Sequence, residues 1–238
     1  MNIKFDAVFI SDIHLGTSRC NVDKFLSFLN TIETKKLVIV GDFIDIHCME
    51  KYNSNWTKKH TMVVKKVLDL SLNGVEVVYV IGNHDEVVRN YIKYLPLNIG
   101  KISICDQYIF ETNGKKYLCD HGDRNSKYSS GSWKQIVLNW GYEFITPINT
   151  LTKKYFNWNF VNFLKNLDQA KIYIDNYERD EVKYGKSFGG ISGIITGHIH
   201  HLNIRTIDDF VYINCGDWCD TCSYIAEING EFLAIKFP

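Results

Sequence analysis

Three features of the sequence predict an α/β fold with two β-sheets and helices on the outside. Short β-branched runs alternate with helix-period segments through the first half of the chain. Hairpin-forming β runs follow residue 100 and close the chain. Most of the histidines stand just after such runs, where an open α/β sheet gathers its ligands.

The elements follow in order. Residues 5–11 read as a buried strand whose AVFI run ends at polar Ser11-Asp12. From Asn21 the period changes, and Phe25, Phe28, Leu29 and Ile32 line one face of a helix. Residues 37–40 form a second strand ending at Gly41-Asp42, residues 63–72 a helix stopped by Gly74, and residues 75–81 a third strand ending at Gly82-Asn83. Strands separated by helices imply crossovers and a largely parallel sheet. Residues 101–105, 108–112 and 116–120 are short strands, the last two joined through the hairpin signal Asn113-Gly114. Residues 193–196, 203–207, 210–214, 223–228 and 231–237 complete the β-rich end, with turns at Asp208-Asp209 and Asn229-Gly230.

Residues 124–190 differ in composition. They hold 14 of the 33 aromatic residues and ten Lys and Arg against six Asp and Glu. Helical spacing recurs at Trp133, Ile136, Val137, Trp140 and at Phe160, Phe163, Leu164, Leu167. The stretch reads as a helical insertion between core segments 1–123 and 191–238. Its aromatics are either ordinary core or the inner face of a cap offering apolar surface and positive charge to a ligand with tails and phosphates.

Composition bounds the function. The 238 residues are 45% hydrophobic and 23% charged, enough to build a core without disulfides. Zero formal net charge excludes a basic footprint over the whole chain, and no nucleic-acid partner is expected. The first residues lack a signal-peptide pattern, and no run nears the roughly 18 apolar residues of a spanning helix. Seven cysteines at irregular positions do not form a secreted framework, so a cytoplasmic location is expected.

The chemistry concentrates in five short blocks: Asp12-x-His14, Gly41-Asp42-x-x-Asp45, Gly82-Asn83-His84-Asp85, His121-Gly122-Asp123 and Gly197-His198-Ile199-His200-His201. Each block alone is a weak signal. Five in succession, each after a β-rich run, supply the mixed carboxylate, amide and imidazole set that suits divalent transition metals. The glycines before three of the blocks read as turn formers that aim a ligand off a strand end.

The ordered set resembles the calcineurin-like metallophosphoesterase superfamily, with its D-x-H, G-D-x-x-D, G-N-H-D/E, H and G-H-x-H blocks. The resemblance implies a four-layer α/β/β/α sandwich and a dinuclear centre. It implies that Asp12, His14 and His200 bind one metal, that Asn83, His121 and His198 bind the other, and that Asp42 bridges both. A hydroxide held between two cations would then attack phosphorus in line. His84 would stabilise the transferring group or protonate the leaving oxygen. Asp85 either orients His84 or caps a following helix over residues 86–94. Asp45 either holds a ligand histidine or caps a turn, and Asp123 stands behind the ligands.

A narrower resemblance runs through SDIHLGTSRC, VGDFIDIH, YVIGNHDE, LCDHGD, GHIHH and CGDWCDTCSYIAEINGEF to bacterial UDP-2,3-diacylglucosamine pyrophosphatases. It implies hydrolysis of that nucleotide-sugar lipid to UMP and 2,3-diacylglucosamine 1-phosphate in lipid A biosynthesis, with two Mn²⁺ ions. The best-established branch commonly carries Arg where this chain has His84. The alternatives are a phosphodiesterase or phosphatase acting on soluble nucleotides or phosphoproteins, and a metal-binding scaffold without catalysis. Arg19, Asn125, Lys127 and Lys134 are candidate contacts for phosphate or sugar, and the aromatic cap is a candidate for peripheral contact with the inner membrane. Cys215, Cys219 and Cys222 are expected to be structural, and His47 and His60 to lie at the surface.

Overall fold

The computed structural model describes residues 4–52, 55–92, 101–124 and 168–238. In chain order they form β1 (Phe5–Ile10), α1 (Val22–Thr31), β2 (Thr34–Val40), α2 (Ile46–Tyr52), α3 (Lys58–Leu72), β3 (Glu76–Val80), a 3-10 turn Glu86–Val88 and α4 (Arg89–Ile92). There follow β4 (Ile102–Cys105), β5 (Tyr108–Thr112), β6 (Lys115–Cys119), α5 (Asp168–Ser187), β7 (Gly193–Thr196), β8 (Asn203–Ile207), β9 (Phe210–Asn214), β10 (Ser223–Ile228) and β11 (Glu231–Lys236).

These strands form two sheets, ordered β11-β10-β1-β2-β3-β4 and β5-β6-β7-β9-β8. β1 to β4 run parallel, in a register that sets Val8 beside Leu37 and Val38 beside Val78. β6, β7 and β9 are the parallel centre of the second sheet. Side chains alternate across each strand, and that alternation sorts the core into three layers. Val8 and Ile10, Leu37 and Ile39, Val77 and Tyr79 face outward onto Phe25, Phe28 and Leu29 of α1 and Val63 and Val67 of α3. Ala7 and Phe9, Val38 and Val40, Val78 and Val80 face inward and meet Tyr117, Cys119, Ile195 and Ile213 of the second sheet. Leu118, Ile194 and Tyr212 point to the far side, where Tyr177 and Val182 of α5 cover them. The result is the expected α/β/β/α sandwich.

The hairpin signals act as turns: Asn113-Gly114, Asp208-Asp209 and Asn229-Gly230 all have positive φ, as type I′ turns require. Other expectations shift. α2 has no counterpart in the sequence reading, and the expected helix after Asp85 is a 3-10 turn running into the short α4. α5 falls in the segment read as an insertion, yet it forms the outer layer of the second sheet. The recurring helical spacings at 133–140 and 160–167 lie outside the described residues. His60 is buried rather than exposed, because its ring accepts the Thr57 N–H in a capping box at the start of α3. His47 is exposed, as expected.

Candidate metal centre

All five blocks sit at the carboxyl ends of parallel strands, three from the first sheet (β1, β2, β3) and two from the second (β6, β7). Both sheets present those ends to one place, so residues 186 positions apart touch: the His198 N–H donates to Asp12 Oδ2 at 3.0 Å. Five motif residues leave their strands in the left-handed backbone region, with φ of 53° at Asp12, His14 and Asp42, 67° at His198 and 52° at His200. Such conformations cost on the order of 1–3 kcal/mol each and cluster at functional sites.

The glycines before the blocks do more than turn the chain. A Cβ on Gly41 would lie 2.2 Å from the His121 ring, one on Gly82 2.2 Å from Asp42 Oδ1, and one on Gly197 2.5 Å from Asp12 Oδ2. Only Gly41 of the three has positive φ, so Gly82 and Gly197 serve close approach instead of a turn.

The carboxylates and imidazoles interlock. Asp42 Oδ1 accepts the His84 N–H, leaving Oδ2 3.2 Å from His121 Nε2 and 3.8 Å from His14 Nε2. Asp12 Oδ1 stands 3.1 Å from His200 Nε2 and 3.8 Å from His14 Nε2. Two nitrogens are turned inward by bonds on the opposite side of their rings. His14 Nδ1 bonds Asp45 at 2.9 Å, and His121 Nδ1 donates to the Val40 carbonyl at 2.8 Å. Holding the far nitrogen this way fixes tautomer and ring orientation in metal-ligating histidines. The His198 ring lies 5.3 Å from that of His121.

These residues fit divalent cations, and the sign is in their unsatisfied atoms. Buried Asp12 Oδ1, His14 Nε2, Asn83 Oδ1 and His121 Nε2 have no hydrogen-bond partner, an uncommon condition for buried polar atoms. Asp12, His14 and His200 bring ligand atoms within 4.8 Å of one another, as do Asp12, Asp42 and His121. Charge complementarity already operates. Burial pushes Asp12 and Asp42 up, but the facing imidazoles outweigh it and hold both below the usual carboxylate range. Burial likewise opposes protonation of His14 and His121, and the carboxylates reverse it. His198 is driven down to about 4 by burial and the neighbouring His121 charge.

His84 borders this cluster, its ring 4.7 Å from His14 and partly exposed. Its Nδ1 lies 2.8 Å from Asp45 Oδ1. Burial disfavours a proton on the ring, yet Asp42 and Asp45 raise its pKa well above the ordinary histidine value. Asp45 thus holds His14 and His84 at once, and its Oδ1 also accepts the Cys48 N–H at the start of α2.

Asp85 is a correction. It neither orients His84 nor caps the helical turn after it. Its oxygens accept the Phe43 N–H at 2.9 Å, the Gly82 N–H at 2.6 Å and the Tyr79 hydroxyl, so it clasps two loops together from beneath. Asp123 accepts from Arg89 Nη2 at 3.3 Å and is a brace of the same sort. Arg19 reaches Cys48 Sγ at 3.4 Å, on the His84 side of the cluster. Asn125, Lys127 and Lys134 lie outside the described residues. The cysteines are free, and burial pushes the thiols of Cys215 and Cys219 well above their ordinary value and that of Cys20 to about 12. Protonated buried thiols are poor ligands and poor redox nucleophiles.

A cleft of about 460 Å³ opens beside the cluster, with Asn83 and His84 on its inner wall and His47, Glu50 and Glu86 on its rim.

Residues 6–202 match the family model described as calcineurin-like phosphoesterase. The chain belongs to that family. Several named proteins are similar to it along most of its length. The UDP-2,3-diacylglucosamine hydrolase of Neisseria meningitidis serogroup B is 23% identical over 94% of this chain and 95% of its own. Among solved structures, an archaeal phosphodiesterase is similar at a TM-score of 0.48 and 16% identity, covering 97% of this chain and 98% of its own. A phosphoesterase from E. coli is similar at 0.47 and 12%, covering 98% and 99%. No helix among the described residues is long and apolar enough to cross a membrane.

Proposed function

We propose that this chain hydrolyses the pyrophosphate of UDP-2,3-diacylglucosamine, releasing UMP and 2,3-diacylglucosamine 1-phosphate. The observation that carries phosphoester hydrolysis is the group of bare, buried ligand atoms facing one another at five strand ends. Similarity to a UDP-2,3-diacylglucosamine hydrolase over 94% of the chain points to the substrate.

In this reading Asp12, His14 and His200 would hold one divalent cation, Asn83, His121 and His198 would hold the other, and Asp42 would serve both. Mn²⁺ is the proposed metal, since the carboxylate and amide oxygens suit it and the likeness to the pyrophosphatases implies it. Bound cations supply positive charge that acidifies water and offsets charge on the phosphoryl oxygens. The chain's own residues do the rest. The second oxygens of Asp12 and Asp42 are anchored to the His198 and His84 amides, so each carboxylate keeps one fixed oxygen for the centre. Asp45 orients His84 through Nδ1, leaving its ring turned to donate a proton to the leaving oxygen or to neutralise the phosphoryl group in flight. Arg19, Asn125, Lys127 and Lys134 are proposed contacts for phosphate or sugar. With an acylated substrate, the enzyme would work in the cytoplasm against the inner membrane surface.

The test is a substrate panel with Mn²⁺, Mg²⁺ and chelator. Detergent-dispersed UDP-2,3-diacylglucosamine should be cleaved far faster than bis-p-nitrophenyl phosphate, and chelator should stop both. Equal or reversed rates would replace the lipid with a soluble nucleotide or phosphoprotein substrate. No turnover of any phosphoester by metal-loaded protein would leave a binding scaffold.

A further inference from the structure

Residues 215–222, the loop after β9, touch the candidate centre without giving it a ligand. The Trp218 N–H donates to the Asp12 carbonyl at 3.0 Å, and the Cys219 thiol approaches the same oxygen at 3.8 Å. Ser11 Oγ donates to the Gly216 carbonyl at 3.0 Å. The loop is itself held fast, because fully buried Trp218 packs 4.8 Å from Phe25 and 4.7 Å from Phe28 of α1.

At its heart is Asp217, which is 0% exposed. Its Oδ1 accepts the N–H groups of Cys219 at 2.8 Å, of Thr221 at 3.2 Å and of Asp220. Its Oδ2 accepts the Thr221 hydroxyl at 2.8 Å and stands 4.0 Å from His200 Nδ1. Two other imidazoles of the cluster, His14 and His121, share one layout: Nε2 toward the carboxylates, and Nδ1 toward an acceptor, Asp45 for His14 and the Val40 carbonyl for His121. His200 keeps the pattern, with Nε2 3.1 Å from Asp12 Oδ1 and the opposite side of its ring turned to Asp217.

We propose that Asp217 is the positioning residue of His200, taking its Nδ1–H when Nε2 engages the cation, while the loop that Asp217 closes holds Asp12. The proposal rests on the reading that Asp12 and His200 share a divalent cation. One loop then sets two ligands of the same metal, one through its carboxylate and one through main-chain and thiol donors. The Cys219-x-x-Cys222 pair belongs to this brace and is neither a redox couple nor a zinc half-site.

The test is Mn²⁺ titration calorimetry on the full-length protein and on Asp217→Asn and Thr221→Val. Asparagine keeps an oxygen for the loop amides but puts an NH₂ where His200 needs an acceptor. Asp217→Asn should weaken one of two Mn²⁺ sites by about 10–100-fold, the usual cost of losing such a partner, and spare the other. Thr221→Val removes one bond to Asp217 Oδ2 and loosens the loop but keeps the carboxylate facing His200, so it should lower the melting temperature and weaken the same Mn²⁺ site far less than Asp217→Asn does. Wild-type affinities in Asp217→Asn, or an equal loss in Thr221→Val, would overturn the proposal. A measurement on the unaltered protein guards against misfolding of the variants. With Zn²⁺ bound, the His200 Nδ1 proton should give a downfield, exchange-protected NMR signal, and a freely exchanging one would overturn the proposal as well. Wild-type protein that binds no divalent ion would instead refute the underlying reading of the centre.

Discussion

The loop at the end of β2 and the loop at the end of β3 each carry a buried carboxylate three residues after a motif glycine or ligand, and the two do opposite work. Asp45 and Asp85 are both 0% exposed. Asp45 faces two imidazoles, and although burial opposes it, their bonds and charge hold it far below the ordinary carboxylate range. Asp85 faces backbone amides, the Tyr79 hydroxyl and the charge of Asp42, and burial together with that charge lifts it to about 6. Equal burial therefore decides nothing. What faces the carboxylate determines whether it serves the chemistry or the scaffold.

The comparison can be broken from the ligand end first. Asp42→Ala removes a carboxylate oxygen that lies 3.8 Å from His14 and 3.2 Å from His121. It should lose bound Mn²⁺ along with more than about 10³-fold in kcat, read by metal analysis and turnover on one preparation. His84→Ala should lose about 10²–10⁴-fold in kcat and keep its metal, because in the proposed roles it removes a proton donor and no ligand. Full kcat in that variant would remove His84 from the reaction. Asp45→Asn sits between them. By loosening His14 and His84 together it should cost about 10–100-fold in metal affinity and lower kcat even at saturating metal. A loss confined to one of the two would uncouple the shared carboxylate.

Asp85→Asn should have the smallest effect on turnover, with a stability loss of about 1–3 kcal/mol as its main signature. Its pH dependence sharpens the contrast. A carboxyl raised to about 6 in the fold, against an ordinary value near 3.8, stabilises metal-free protein below the unfolded value, and that contribution fades as pH rises to about 6. The deficit of Asp85→Asn relative to wild type should therefore be largest near pH 4 and shrink by pH 7. Asp45 has the reverse sign: its lowered pKa contributes stability above the unfolded value and loses it as pH falls through the folded one. Melting curves of metal-free variants between pH 4 and 8 would read the Asp85 trend, while the Asp45 contribution stays level there and falls only below its unfolded value of 3.8.

Much of this was legible in the sequence, for physical reasons. β-Branched runs ending in a polar block mark strand ends, and Asn-Gly pairs demand the positive φ seen at Asn113-Gly114 and Asn229-Gly230. The ligand candidates were readable because metal chemistry restricts residue types. Their supporting partners were not. Asp45, Asp85 and Asp217 are carboxylates of equal standing on paper, and only long-range geometry sorts them. Asp85 meets Tyr79 and the Phe43 amide, contacts that no local pattern announces. α2 is not legible in the sequence because a seven-residue helix leaves too little periodicity. His60 looked solitary, and its capping-box role depends on Thr57 three residues earlier.

The glycines at 41, 82 and 197 carry a consequence for how this protein can drift. Each is pressed against a side chain of the centre, so even alanine would have to displace His121, Asp42 or Asp12. A library randomising these three positions and selected for turnover should return glycine at all of them. Solvent-facing helix positions such as Met62 and Leu72 should accept nearly anything. The least chemically endowed residues in the chain are among those with the least freedom to vary.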